Sequence, residues 1–307
     1  MAVTMKHRLL SLAAWLLAVL LLLPTGAARA EGKKTLVLAA TIFPVVDIVR
    51  RVAGPDTRVI QVLPPGASPH TFDLTPGQVR QLQDARLVFK IGGIDDWIDG
   101  VAESLPRAKL VTLDKDIALK PFHETGHAHG GHQAGHDLAH DPHYWLDAAN
   151  GAIMARTVAE VLSAYDPVHA GRYGENSQRL ARELSSLHAE LHAELATLKN
   201  RRMIVFHDGW RYFASAYGLE IAAVFQVAPG REPTPRELQE LYAQARRFRI
   251  QAVFSEPQLP ATSLQPLLHD LGLQMVVLDP LGGVAADDSY AALLRRVGQA
   301  IRRALGS

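Results

Sequence analysis

This sequence predicts an α/β protein with two lobes, each built on a mostly parallel sheet. One long helix bridges the lobes, and a metal site lies in the cleft between them. Three observations predict it. Short apolar runs alternate with amphipathic helical stretches from Lys34 onward, and the alternation restarts near Arg202. Between the two series, a helical region over 167–198 carries Leu180, Leu184, Leu187, Leu191, Leu195 and Leu198 on one stripe. Several histidines and one aspartate stand at or just beyond the carboxyl ends of expected elements, where open α/β sheets place their ligands.

In the first series, strands are expected at 35–39, 58–63, 87–91 and 109–113, and helices at 45–52, 76–85 and 96–104. Several of these strands are continuous runs of β-branched residues and leucine, as sheets covered on both faces require. The second series has strands at 203–206, 220–224, 252–255 and 275–278. Its helices are expected at 210–217, 235–247, 263–271 and 288–305. The helix at Pro235 has a clear start: Thr234 is the N-cap, Pro235 sits at N1 and Glu237 completes a capping box. The region 167–198 would span about 48 Å at ~1.5 Å per residue, longer than one lobe needs.

The first thirty residues have the pattern of a cleavable signal peptide. Lys6, His7 and Arg8 are basic, residues 9–23 are apolar, and Ala28-Arg29-Ala30 is an A-x-A site. The apolar run is short of the roughly 20 residues a spanning helix needs. Cleavage would change the net charge from +1 to −2, because it removes Lys6, Arg8 and Arg29 and no acid. A periplasmic protein is expected, divided into a signal peptide (1–30), an N-terminal lobe (31–166), a linker helix (167–199) and a C-terminal lobe (200–307). The near-neutral charge offers no basic face for nucleic acid. The absence of cysteine excludes a disulfide scaffold, a thiolate metal site and a cysteine nucleophile.

Histidine is the unusual residue. Six of the 14 fall within 123–140, inside a Gly/His/Ala segment (122–141) without apolar period, expected to be a surface loop inserted in the first lobe. His70 follows a strand end, His143 precedes a helix, His207 ends a strand, and Asp279 ends another. Three imidazoles and one carboxylate would make a closed four-coordinate site suited to Zn²⁺. Each has an ordinary reading alone: a capping histidine, or a turn aspartate before Pro280. His188 and His192 lie one helical turn apart and read as a solvated face. Trp145, Tyr144 and Trp210 flank the proposed ligands as apolar packing, with Glu256 and Asp208 as outer partners.

Seven segments carry a resemblance to a known family: GASPHTFDLTPGQ (66–78), DPHYWLDAANGAIMA (141–155), DPVHAGRYGENSQRL (166–180), FHDGWRYFASAYGL (206–219), EPTPREL (232–238), FSEPQ (254–258) and VVLDPLG (276–282). Together they make the chain resemble the periplasmic metal-binding components of zinc and manganese ABC transporters, the ZnuA type. The resemblance implies two lobes bridged by a long helix, with His70, His143, His207 and Asp279 as ligands, the last differing in role among relatives. Manganese-type relatives often have Glu where His207 stands, so zinc is the expected cargo. Some zinc relatives carry a disulfide in the second lobe, and this chain has no cysteine to make one. The implied function is capture of Zn²⁺ and delivery to an ABC permease by a non-enzymatic, monomeric protein, with a periplasmic zinc donor as a further partner. The His-rich segment would collect zinc weakly. Imidazoles bind metal only when neutral, so affinity is expected to fall below about pH 6.5. A manganese or iron carrier and a zinc hydrolase are the competing readings. The hydrolase lacks an H-E-x-x-H motif, a G-x-S-x-G elbow and a phosphate loop.

Overall fold

The computed structural model describes residues 35–121, 140–225, 234–250, 252–258, 265–284 and 288–306. The expected signal peptide, and all of the His-rich segment except His140 and Asp141, lie outside the described residues. No described helix is long and apolar enough to cross a membrane.

The first series folds as β1 (Leu36–Ala40), α1 (Phe43–Ala53), β2 (Thr57–Gln61), α2 (Pro76–Gln81), β3 (Leu87–Lys90) and β4 (Lys109–Thr112). Its strands pair in parallel in the order β2-β1-β3-β4. The central β3 is buried along its whole length, as its Leu-Val-Phe-Lys run anticipates, while in the edge strand β4 only Val111 is buried. Residues 96–104 form the expected helical stretch, Asp96–Ser104, wound as a 3₁₀ helix. Ile98 and Val101, three residues apart, both reach the same apolar cluster, and that spacing fits three residues per turn.

The second series is β5 (Arg202–Val205), α5 (Arg211–Ala216), β6 (Glu220–Val224), α6 (Pro235–Phe248), β7 (Ala252–Ser255), α7 (Gln265–Asp270), β8 (Gln274–Val277) and α8 (Tyr290–Leu305). Its sheet repeats the first topology: all parallel, in the order β6-β5-β7-β8. The capping box at Thr234 is present, with Glu237 accepting from the Thr234 backbone N–H at 2.6 Å.

Two helices lie between the sheets in sequence: α3 (Ala148–Tyr165) and, after a 3₁₀ turn at Pro167–His169, α4 (Ala170–Ala196). At 27 residues, α4 is about 40 Å long at ~1.5 Å per residue, shorter than expected because Pro167 opens a 3₁₀ turn rather than the helix itself. Its leucine stripe is buried throughout. On one side, α4 is held to α1 by Asn176 donating to the Val52 carbonyl and by an Arg51–Glu183 ion pair. On the other, Arg295 of α8 makes a two-pronged bond to Glu190 at 2.9 and 3.0 Å. The long helix is therefore fastened to elements of both series.

Close approach of α3 and α8 depends on Gly151. A Cβ there would lie 2.5 Å from Tyr290 Cε1 and 2.7 Å from its hydroxyl oxygen. Tyr290 is fully buried and its hydroxyl donates to the Trp145 carbonyl. Gly151→Ala is expected to lower stability by about 1–3 kcal/mol through overpacking. The readout is a lower denaturant midpoint at unchanged slope. A midpoint at or above that of the parent protein would contradict it.

Candidate metal centre

The two sheets present their carboxyl ends differently. In the second, the order reverses between β5 and β7, and the residues just past those strands are His207 and Glu256, both buried. In the first, the corresponding crevice between β1 and β3 is filled by Asp95, which is fully buried. Its carboxylate accepts from the Thr41 hydroxyl and from the backbone N–H groups of Ile91 and Gly92. Burial raises the Asp95 pKa despite these bonds. His70 and His143 therefore come from loops beyond β2 and β4 and not from the crevice itself.

Each histidine has its own support. His70 lies in a 3₁₀ turn, Pro69–Thr71, whose Pro69 carbonyl accepts from Trp97 Nε1 at 3.1 Å. His143 is fixed by Asp141, whose Oδ1 accepts from the His143 backbone N–H at 2.9 Å and pairs with the ring Nδ1 at 2.8 Å. A carboxylate only accepts, so Nδ1 carries the proton and Nε2 keeps its lone pair facing the cleft. His207 Nε2 stands 3.2 Å from that atom.

The three imidazoles converge. Their ring centroids are 4.8 to 5.6 Å apart, and one nitrogen of each lies within 4.8 Å of the others. Tetrahedral zinc, with bonds of about 2.0–2.1 Å, sets its ligand atoms roughly 3.3 Å apart. The His143–His207 spacing already meets that distance. The rings line a cavity of about 20 Å³, room for one water-sized occupant. Trp145 packs on His143 with centroids 5.2 Å apart, and Trp210 Nε1 donates to Glu256 Oε1 at 2.9 Å. These aromatic residues act as the packing shell expected of them.

Asp279 is not among the converging residues. It follows β8, half-buried, and its Oδ1 accepts the Leu281 backbone N–H at 2.9 Å, closing the Asp-Pro turn. Its charge reaches the cleft, where it helps raise the Glu256 pKa, already lifted by burial, to about 7. Asp208 turns to Arg211, with bonds of 2.8 and 2.7 Å, rather than to His207. His188 meets Asp147 at 3.1 Å, and His192 is exposed. Two contributors were missed in the sequence. Asp141 had a signal, an acid two residues before a proposed ligand. Gly209 had none: a Cβ there would lie 3.0 Å from His207 Cδ2 and 3.1 Å from His143 Cδ2 and Nε2.

Burial lowers the pKa of His207 well below the ordinary value, and the neighbouring His143 and His70 lower it further. His70 keeps an exposed edge, yet loss of water around its ring, and then His143, lower its pKa too. Both therefore take up protons only at lower pH than an ordinary imidazole, so the expected fall in affinity below about pH 6.5 should be shallower than three ordinary histidines would give. Three ordinary histidines would drive the slope of log affinity against pH toward about three in that range. A slope well below three is expected near pH 6, and a slope approaching three would contradict it. The metal-free fold shows the other side of the linkage. Below about pH 6.5 the unfolded chain takes up protons at these two histidines that the fold excludes, so stability falls with pH. Glu256 has the opposite sign, since its folded pKa is raised, and offsets part of that loss.

Comparison with known proteins gives a consistent result. The family model described as "ZnuA: Zinc-uptake complex component A periplasmic" matches residues 38–304. The high-affinity zinc uptake system protein ZnuA of Paracoccus denitrificans (strain Pd 1222) is 32% identical over 92% of this chain and 96% of its own. Its counterpart from Brucella abortus (strain 2308) is 27% identical over 90% of this chain and 92% of its own. A crystal structure of ZnuA superposes with a TM-score of 0.76 at 28% identity, covering 88% of this chain and 99% of that one. A zinc-bound ZnuA deletion mutant gives a TM-score of 0.75 at 28% identity, covering 88% and 98%.

Proposed function

The chain belongs to the ZnuA family of periplasmic zinc-uptake components, and on that premise we propose that it captures a single Zn²⁺ ion in the cleft between its two sheets. It is a periplasmic, zinc-binding transport component of an ABC importer, and not an enzyme. A cognate ABC permease receives the zinc. The observation that carries this reading is the convergence of three imidazole nitrogens within 4.8 Å. An imidazole-rich donor set favours zinc over manganese, whose sites are rich in carboxylate and water oxygen.

In this proposal His70, His143 and His207 are the protein ligands, and Asp279 is the fourth. To reach the ion, the Asp279 carboxylate must turn toward the cleft. The mature chain then divides at 31–166, 167–199 and 200–307. It acts as a monomer, and the His-rich segment 122–141 collects zinc weakly or receives it from a periplasmic donor protein.

A zinc titration of the metal-free mature protein against a chromophoric chelator tests the reading. One tight site is expected, with weaker ones that vanish when 123–140 is deleted. Mn²⁺ at equal concentration should leave the tight site filled with zinc. Displacement by Mn²⁺, or weak binding only, would overturn it.

A further inference from the structure

We infer that Tyr212 is a positioning residue for this zinc site: its hydroxyl clamps the chain at Lys120 and Asp141 to the helix that follows His207, and so holds His143 in place. The inference rests on the reading of the cleft as a zinc site and assigns a residue to its support.

Tyr212 is buried on α5, which opens just after His207. Its hydroxyl uses both of its roles. It accepts from the Lys120 backbone N–H at 2.8 Å and donates to the Asp141 carbonyl at 3.2 Å. Those two residues also bond each other, Asp141 N–H to the Lys120 carbonyl at 2.9 Å, and Pro121 and His140 form an antiparallel bridge just beyond. Two chain segments, at 120–121 and 140–141, thus run side by side as a neck. One phenol grips both of them.

Asp141 is the far end of that grip and the near end of the next bond. Its carbonyl is held by Tyr212, and its carboxylate holds the backbone and ring of His143. The connection thus runs from the helix after one ligand, through the neck, to the partner of a second ligand. Lys120 reinforces it, with its ammonium 5.5 Å from the Tyr212 ring centroid and 3.1 Å from the Ser215 hydroxyl. Without the hydroxyl, the Lys120 N–H and the Asp141 carbonyl lose a shared partner. The neck can then shift and carry Asp141 and the His143 ring with it.

The test uses the mature protein as Tyr212→Phe, Asp141→Asn and the double variant, with Tyr173→Phe as a control. Tyr173 is equally buried, and its hydroxyl donates to Asp166 at 2.8 Å, outside the connection from Tyr212 to His143. Zinc affinity and dissociation rate are measured by chelator competition, and the thermal midpoint is measured on the metal-free proteins. Tyr212→Phe is expected to lower affinity about tenfold, mainly through faster release, as loss of an outer partner does. Tyr173→Phe should lower the midpoint and leave affinity alone. In the Asp141→Asn background, Tyr212→Phe should add little, because both act through one connection. Unchanged affinity in Tyr212→Phe, or full additivity with Asp141→Asn, overturns the inference while leaving the zinc reading intact. Absence of tight binding in the parent protein overturns both.

Discussion

His143→Ala is expected to abolish tight zinc binding, lowering affinity for the first equivalent by more than about 100-fold. Loss of outer partners alone costs roughly 10–100-fold, and a direct ligand should exceed that. His143 is only 3% exposed, its proton is committed to Asp141, and its Nε2 stands 3.2 Å from that of His207. The remaining pair, His70 and His207, includes the one ligand with an exposed edge. Chelator competition measures the loss, and the zinc-dependent rise in thermal midpoint should shrink with it, because a ligand at free concentration L stabilises the fold by RT ln(1 + L/Kd). His192→Ala, on the exposed face of α4, should bind as the parent does. A loss smaller than about tenfold in His143→Ala would mean that the cleft histidines do not hold the ion.

The second large effect is expected at Asp141. Asp141→Ala should weaken zinc binding by about 10–100-fold, and Asp141→Asn by the lower end of that range. Alanine removes the acceptor that orients His143, whereas asparagine keeps an acceptor oxygen and loses the charge. Asp141 is fully buried and its Oδ2 has no hydrogen-bond partner, an arrangement that is itself costly to the fold. Stability of metal-free Asp141→Asn should therefore change little while affinity falls. A variant that unfolds but binds zinc normally when folded would show that Asp141 serves the fold rather than the site. The two proteins are compared by denaturant midpoint and by chelator competition.

The two sheets were legible because their signals are local. Runs such as Leu87–Lys90 and Ala252–Ser255 are short, apolar and β-branched or aromatic, and both proved buried throughout. The leucine stripe of α4 survives translation into structure for the same reason: a period of 3.6 is a property of neighbours in sequence. The helix at Asp96–Ser104 was legible in its bounds but not in its 3₁₀ winding, which answers to the apolar cluster beneath it.

The site was half legible. His207 sits past a strand end, and its placement followed from the sheet. Convergence of His70, His143 and His207 depends on three loops meeting, and no local pattern encodes that. Asp279 illustrates the limit. An aspartate before proline can serve a metal, its own turn or both, and one of its carboxylate oxygens accepts the Leu281 N–H. Gly209 and Tyr212 were invisible for a related reason. One matters for the atoms it lacks beside two imidazoles, and the other for a hydroxyl shared by residues distant in sequence.

The most direct measurement is zinc K-edge X-ray absorption on the protein lacking 123–140, loaded with one equivalent of zinc. Three imidazole nitrogens and one oxygen at about 2.0–2.1 Å, in a four-coordinate shell, are the expected result. A shell of mostly oxygen donors, or one with a single imidazole, would contradict the assignment of His70, His143 and His207 as the ligands.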